Sequence, residues 1–332
     1  MRILSAYAFP ASRHNVERTT VVRMPPRWLR QNYRLRSMYT AVTMLRRRSE
    51  FDVAVATGDF IGLFFGGLQR LVPGRHLPTV LVECNWYRES RFWRRPLKKL
   101  QMRFCLSGVD RCVVWAEREI KAYASEFHQD EAKFVFIPQH IALHSDRYRY
   151  TVQEDDYIFA AGNYDRDFRT FVTAVRDITQ PCIIACTVEE SMRGIELPGH
   201  VRHVRATPEQ FRQLMAGALI VVVPMEKGHL HSGGQQGIVN GMALGKPVVV
   251  TDPEGASSYI KNGETGILVP AADPNALRQA LLQLLADPER RRRIGERARL
   301  SVQGFTVENI YDRICSLAVD VASAACAEIP ID

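Results

Sequence analysis

The sequence predicts an α/β protein of two similar domains, each a parallel sheet covered by helices. Three observations lead there. From Ile3 to Ile137 short apolar runs alternate with helical patterns, the rhythm of strands buried on both faces between crossover helices. The polar stretch Asp146 to Asp156 lacks periodicity, and the alternation restarts at Tyr157, so a domain boundary is expected there. A chain of 332 residues is long enough for two cores with a cleft between them. The expected division is 1–150, 151–305 and a terminal helix in 306–332.

In the first domain the candidate strands are Ile3 to Ala6, Val53 to Thr57, Thr79 to Glu83, Cys112 to Trp115 and Phe134 to Ile137. Ser37 is positioned to cap a helix whose apolar residues Met38, Val42 and Leu45 recur at helical spacing, and Arg46, Arg47 and Arg48 suit its negative pole. Another helix is expected to open at Pro96.

In the second domain the strands are Tyr157 to Ala161, Cys182 to Ala185, Val201 to Val204, Leu219 to Pro224 and Pro247 to Thr251. Helices follow at Phe168 to Arg176, Pro208 to Ala216, Gln235 to Leu244 and Asn275 to Ala286. Asp273 before Pro274 is a helix start, and Asn262-Gly263 with Thr265-Gly266 marks a turn before Ile267 to Val269. Thr306 is placed to cap a last helix, about Val307 to Ala325.

The run from Ser232 to Asp252 carries the first functional signal. Ser232, Gly233 and Gly234 can bring backbone N–H groups close to an anion, and a helix opening at Gln235 adds the positive end of its dipole. Gly245, Lys246 and Pro247 then close that helix. A phosphate-bearing ligand fits such a loop, although any βαβ crossover has a similar outline.

Composition narrows the classes. The seven cysteines are scattered without CxxC spacing, which argues against a disulfide framework or a zinc site and for reduced, buried thiols. There is no HExxH, and His229 and His231 read as polar loop residues. Neither a secretory signal nor a run of about 18 apolar residues is present, which points to a cytoplasmic, non-spanning protein. Charge is uneven: residues 1–150 hold 26 Lys and Arg against 13 Asp and Glu, residues 151–332 hold 18 against 23. Any basic partner surface therefore belongs to the first half.

From about Tyr157 to Val302 the chain resembles the nucleotide-sugar-binding domain of retaining GT-B glycosyltransferases of the glycosyl transferase group 1 family. GMALGKPVVVTD (Gly241 to Asp252), NGETGILVPAADPNAL (Asn262 to Leu277) and LLADPERRRRIGERAR (Leu284 to Arg299) carry the resemblance in order and spacing. In the first half it extends only to strand rhythm and to FIPQHI, Phe136 to Ile141. The resemblance implies two Rossmann-like domains facing across a cleft, with the last helix crossing back to the first. It also implies sugar transfer with retention from a nucleoside diphosphate sugar to a lipid-linked, polysaccharide or other glycan acceptor, without a metal or other cofactor. Most members carry two glutamates eight positions apart; here Ser232 and Asn240 occupy those places. Asn240 retains donor and acceptor groups for a ribose, while Ser232 reaches sugar or phosphate only weakly. The alternative is a nucleotide-sugar-binding or scaffolding protein that kept the fold without transfer; an epimerase or phosphorylase on the same fold is a third.

Transfer makes the diphosphate a leaving group, so cations must meet its growing charge. The resemblance places them after the first strand of the second domain, where Gly162 is followed by Arg166, the first choice, and Arg169, the second. Lys227 is a further candidate beside the loop. Gln235 and Gln236 join the donor set behind the glycines, and backbone around Arg205 to Thr207 is expected to meet the base. In the first domain Glu83 or Asn85 stands at a strand end that relatives use near the sugar. Asp165 and Asp167 read as helix-capping residues rather than a metal pair.

Two segments of the first half join cations to aromatics: one from Arg27 and Trp28 to Arg36, the other from Arg88 to Phe104. Both suit an anionic membrane surface, giving a protein peripheral to the inner face of the membrane. The alternative for the second is a helix with Leu97, Leu100 and Phe104 turned to the core. No helix-turn-helix, RRM-like or KH-like pattern supports nucleic-acid binding.

Overall fold

The computed structural model describes residues 1–5, 18–21, 31–57, 60–84, 95–143, 155–251 and 253–327. The chain divides into two compact units, Met1–Pro138 with Val307–Asp332, and Gln139–Thr306. Most of the polar stretch read as the boundary lies outside the described residues.

The first unit is a six-stranded parallel sheet. Its elements run β1 (Arg2–Ser5), β2 (Arg18–Val21), α1 (Tyr33–Arg46), β3 (Val53–Thr57), α2 (Phe60–Leu71), β4 (Thr79–Val82), α3 (Arg95–Leu106), β5 (Arg111–Val114), α4 (Arg118–Phe127) and β6 (Phe134–Phe136). Their order in the sheet is β2-β1-β3-β4-β5-β6. The apolar runs become buried strands as expected; β2, built on the polar run RTTV, was not legible.

Helix α1 differs from expectation in rotation, and α3 departs from the alternative that turned its leucine stripe to the core. Asn32, not Ser37, caps α1, its Oδ1 accepting from the Leu35 N–H at 3.2 Å. Ser37 lies inside the helix and its hydroxyl donates back to the Tyr33 carbonyl at 2.9 Å, a local bond open to serine in a helix interior. The buried face is Ser37, Thr40, Ala41 and Met44, leaving Met38 half exposed. In α3 the core face is Met102, Cys105 and Leu106, while Leu97 and Leu100 are 66% and 63% exposed and Phe104 40%. The reason is backbone approach: a β-carbon at Gly66 of α2 would stand 2.5 Å from the Cys105 carbonyl and 2.9 Å from Val109. That contact turns the Cys105 side of α3 inward and the leucine stripe outward.

The second unit is also all parallel: β7 (Ile158–Ala161), α5 (Phe168–Val175), β8 (Cys182–Ala185), β9 (Val201–Val204), α6 (Pro208–Gly217), β10 (Ile220–Val223), α7 (Gln235–Ala243), β11 (Val248–Val250), α8 (Pro253–Ala256), β12 (Ile267–Leu268), α9 (Pro274–Ala286) and α10 (Pro288–Ser301). The order is β12-β11-β10-β7-β8-β9. Chain direction across the sheet reverses between β7 and β10, and the carboxyl ends of strands at such a switch point form a ligand crevice. Side-chain caps fix the helix starts: Asp167 on α5, Thr207 with Gln210 as a capping box on α6, Asp273 on α9 and Asp287 on α10. Asp167 thus caps a helix as read from sequence, whereas Asp165, read with it as a capping residue, lies two positions before the helix in a left-handed turn with φ +56°. Gly295 of α10 sits on the turn after α7, where a β-carbon would collide with the Gly245 carbonyl.

The terminal helix α11 (Val307–Ala327) belongs to the first unit. Its Ile310, Ile314, Ala318 and Ala322 pack on Ile3, Val53, Val80 and Val113 of that sheet. No helix among the described residues is long and apolar enough to cross a membrane.

Candidate active site

β7 is a fully buried apolar strand followed by Gly162, whose φ of +132° is reserved for glycine. The absence of a side chain there admits Arg166: a β-carbon would collide with its Nε. Arg166 Nε donates to the Ala161 carbonyl at 3.0 Å, and Nη1 donates to the Tyr164 carbonyl at 2.7 Å and lies 3.0 Å from Met225 Sδ. The loop carrying it is pinned to the end of β10, with the Asp167 N–H donating to Pro224 O at 2.9 Å and the Glu226 N–H to Asp165 O at 3.1 Å. Thr251 holds Met225 from the other side, its Oγ1 accepting from the Met225 N–H at 2.7 Å.

The glycine loop rests on this platform. A β-carbon at Gly233 would stand 2.6 Å from Met225 Cε and 3.8 Å from Arg166 Nη1; one at Gly234 would stand 3.0 Å from Met225 Sδ and 3.7 Å from Arg166 Nη2. Gly234, with φ +84°, is the N-cap of α7. One guanidinium therefore lies beside both glycines at the positive end of a helix. Burial pushes the Arg166 pKa down to about 10, against the attraction of Asp165, so the group stays cationic at neutral pH. Among the described residues no carboxylate forms an ion pair with it.

A cavity of about 470 Å³ opens beside Arg166, at the carboxyl ends of β7 and β8 and the start of α7; Gly162, Thr187, Phe211, Gln236 and Asn240 line it. Gly162, Arg166, Gln236 and Asn240 are thus gathered around one space, with Gly233 and Gly234 against Arg166. Ser232 is fully buried, and Gln235 is buried with its Nε2 donating to the Ser232 carbonyl at 2.6 Å; these two shape the loop. Arg169 points away, its Nη2 3.4 Å from the Gly194 carbonyl. Arg205 pairs with Glu189 on the surface, although the next residue, Ala206, lines the cavity. Lys227 is exposed and lies outside the lining.

Glu83 belongs to the first unit, follows β4 with φ +68°, and after burial is the second influence raising the Tyr311 pKa. Asn85 is outside the described residues.

Sequence reasoning missed the staple made by Asn163, whose Oδ1 accepts from the Thr187 N–H at 2.8 Å and from its hydroxyl at 3.0 Å. It also missed that the two amides of α7 hold the opening segment of the unit. Gln236 Nε2 donates to the His140 carbonyl at 2.9 Å, and Asn240 Oδ1 accepts from the Ala142 N–H at 3.0 Å. Asp165, Glu226 and His229 bring ligand atoms within 4.8 Å of one another at the loop and are the described residues able to hold a metal ion. Their contacts are mutual: His229 lies 3.2 Å from Glu226 and 3.8 Å from Asp165.

Residues 187–301 match the family described as glycosyl transferases group 1. The matched residues lie within the second unit. N-acetyl-alpha-D-glucosaminyl L-malate synthase of Bacillus anthracis is 28% identical over 137 residues, 41% of this chain and 35% of that relative. The chain spans about a third of the length of the curated relatives it matches. Among solved structures, sucrose-phosphate synthase from Thermosynechococcus elongatus superposes with a TM-score of 0.70 at 19% identity, covering 92% of this chain and 84% of that one. HepE from Anabaena in complex with UDP gives 0.64 at 14% identity, covering 91% and 86%. The fold is GT-B.

Proposed function

We propose that the protein is a glycosyltransferase that moves a sugar from a nucleoside diphosphate sugar to a glycan acceptor with retention, Arg166 serving the departing diphosphate. The observation that carries this is one guanidinium held between Gly162 and the Gly233–Gly234 cap of α7. A diphosphate there meets a fixed cation, backbone N–H groups and a helix dipole, all in place before the reaction. As the bond from sugar to phosphate breaks, charge grows on the oxygen that Arg166 faces. Retention follows if the acceptor hydroxyl attacks from the same face and gives its proton to the leaving phosphate, so no protein base is required. Because a fixed cation is provided, no divalent ion is needed at that oxygen.

Support for a donor of this class comes from HepE, a structural neighbour in complex with UDP, and support for transfer from the family match. Incubating the purified protein with UDP-, GDP-, ADP- and dTDP-sugars tests the reading. Release of the nucleoside diphosphate, lost in Arg166→Ala, supports an enzyme. Donor binding with no release or transfer to any acceptor would favour the binding-protein alternative.

The partner assigned to the first unit is an anionic membrane surface. Helices α1, α2 and α3 contain eight Lys and Arg and no Asp or Glu. Their exposed apolar residues Leu35, Met38, Phe60, Leu97 and Leu100 stand among those cations, and the N-terminal ends of α1 and α2 meet in a Tyr33–Phe60 ring contact with centroids 5.8 Å apart. Apolar side chains of this kind enter the headgroup boundary while each nearby cation contributes about 1 kcal/mol on an anionic leaflet.

A further inference from the structure

Helix α10 concentrates positive charge in a half of the chain that is otherwise acidic. Residues 151–332 hold 18 Lys and Arg against 23 Asp and Glu, yet six of those 18 are arginines within the 14 residues of α10, beside two glutamates. The helix runs past the turn that ends α7. Beside that turn opens a cavity of about 600 Å³, against about 470 Å³ for the one beside Arg166. Its charged lining is Lys246, Arg291, Arg292 and Arg299 with Glu289 and Glu296. One cation at the negative end of a helix such as α7 is ordinary. Four exceed that need.

The two carboxylates do not balance the four cations, because Arg292 takes both: its Nη2 lies 2.8 Å from Glu289 and its Nη1 3.0 Å from Glu296. Arg291 and Arg299 form no ion pair among the described residues. Arg291 Nη1 donates to the Leu284 and Leu285 carbonyls at 2.8 and 3.0 Å, while its Nε is buried without a hydrogen-bond partner. A buried charged N–H left unpaired is costly, and an acceptor drawn into the cavity offsets that cost. The stem of Arg299 lies over the α7 turn, where a β-carbon on Gly245 would stand 3.9 Å from its Cδ. Lys246, next in the same turn, is only 5% exposed, and a charge so placed attracts an anion more strongly than one in bulk water.

We propose that this cavity binds a small anion carrying phosphate groups, at a site separate from the one beside Arg166. Guanidinium groups match the oxygens of a phosphate in pairs, and the volume has room for more than one phosphate group. The nine residues of α7 put about 13 Å between this turn and the Gly234 cap. The two cavities share no lining residue. The site therefore stands whether or not a donor binds at Arg166. A soluble phosphorylated molecule and the phosphate headgroup of a lipid offer it the same chemistry.

The test uses the full chain carrying Arg166→Gln, so that the other site contributes little. Titration calorimetry with inorganic phosphate, pyrophosphate and glycerol 3-phosphate is set beside co-sedimentation with phosphatidic acid vesicles. At least one of these probes is expected to bind, and adding Arg299→Gln to weaken it about tenfold. Adding Glu296→Gln instead removes a carboxylate from the lining and releases Arg292, so binding is expected to tighten about two- to fivefold. Arg299 and Glu296 are exposed, melting curves establish that both variants are folded, and a misfolded protein would not gain affinity. Binding of the soluble probes that responds to both substitutions assigns the site to a free phosphorylated molecule. A response confined to the vesicles assigns it to a headgroup. Failure of every probe to bind, or binding unchanged by Arg299→Gln in the folded variant, would overturn the proposal.

Discussion

The guanidinium of Arg166 occupies the space that a side chain on Gly162 would need. The two residues are four apart in the chain, and neither placement works without the other. Gly162 supplies a left-handed turn, and the turn lets Arg166 fold back over it to reach Met225 and the start of α7. Gly162→Ala combines a strained φ, costing about 1–3 kcal/mol, with displacement of the guanidinium. A lower melting temperature and a loss of donor affinity of about tenfold or more are expected together, measured by calorimetry on one preparation.

A second glycine contact is structural only. Gly295 of α10 lies on Gly245, at the opposite end of α7 from the cap. Gly295→Ala forces the helices apart and is expected to destabilise by about 1–3 kcal/mol. Urea unfolding should report that change, with donor affinity in the folded protein within about twofold of wild type.

His140 gives a pH dependence with a definite sign. Burial lowers its pKa below 6.5, so below that pH the unfolded chain binds a proton more readily than the folded one. Stability is therefore lost as pH falls from about 6.5 towards the folded pKa, and it is fully present above. The melting temperature of His140→Gln should fall less between pH 7 and pH 5 than that of the wild type. Equal falls would mean that other groups set the acid limb.

Six of the seven cysteines are buried and Cys326 is exposed. Burial raises Cys105 to about 11 and Cys182 to about 12, so neither is a thiolate at neutral pH. One fast-reacting thiol is expected in the native protein with a thiol-specific chromophore, lost in Cys326→Ser.

On the first unit, Lys98→Glu with Lys99→Glu should reduce co-sedimentation with vesicles containing phosphatidylglycerol. Leu97→Ser with Leu100→Ser should reduce it further while leaving melting unchanged, since both leucines are exposed. Binding to neutral phosphatidylcholine equal to that on anionic vesicles would remove the surface as an anionic-membrane site.

Local signals carried much of this structure. The buried valine runs of β10 and β11, the Asp273-Pro274 start of α9 and the Gly233–Gly234 opening of α7 depend on neighbours in the chain, and the sequence displays them. Arg166 entered as a candidate through the resemblance, which puts a cation after the glycine that follows the first strand of the second domain, and not through a local signal of this kind. Rotations and choices among equivalent residues were not legible. Met38 and Met44 are both apolar at helical spacing, and only the packing of α1 on α2 selects Met44. Leu97, Leu100 and Phe104 form a stripe that reads as core, yet the close approach of α3 to Gly66 selects Cys105. Arg166, Arg169 and Arg205 are equally cationic on paper. The backbone carbonyl at Ala161 and the carboxylate of Glu189 separate them, and both partners are visible only once the sheet is formed. Asn240 reads as a ribose ligand, but its acceptor is taken by Ala142, a residue 98 positions away.

Arg166 and the cap of α7 are proposed to hold a diphosphate. The most direct measurement compares the affinity of a nucleoside with that of its diphosphate in wild type and in Arg166→Gln. The variant, shown to be folded by its melting curve, is expected to lose about tenfold or more for the diphosphate and less than about twofold for the nucleoside. Equal losses for both ligands, or none for the diphosphate, would contradict it.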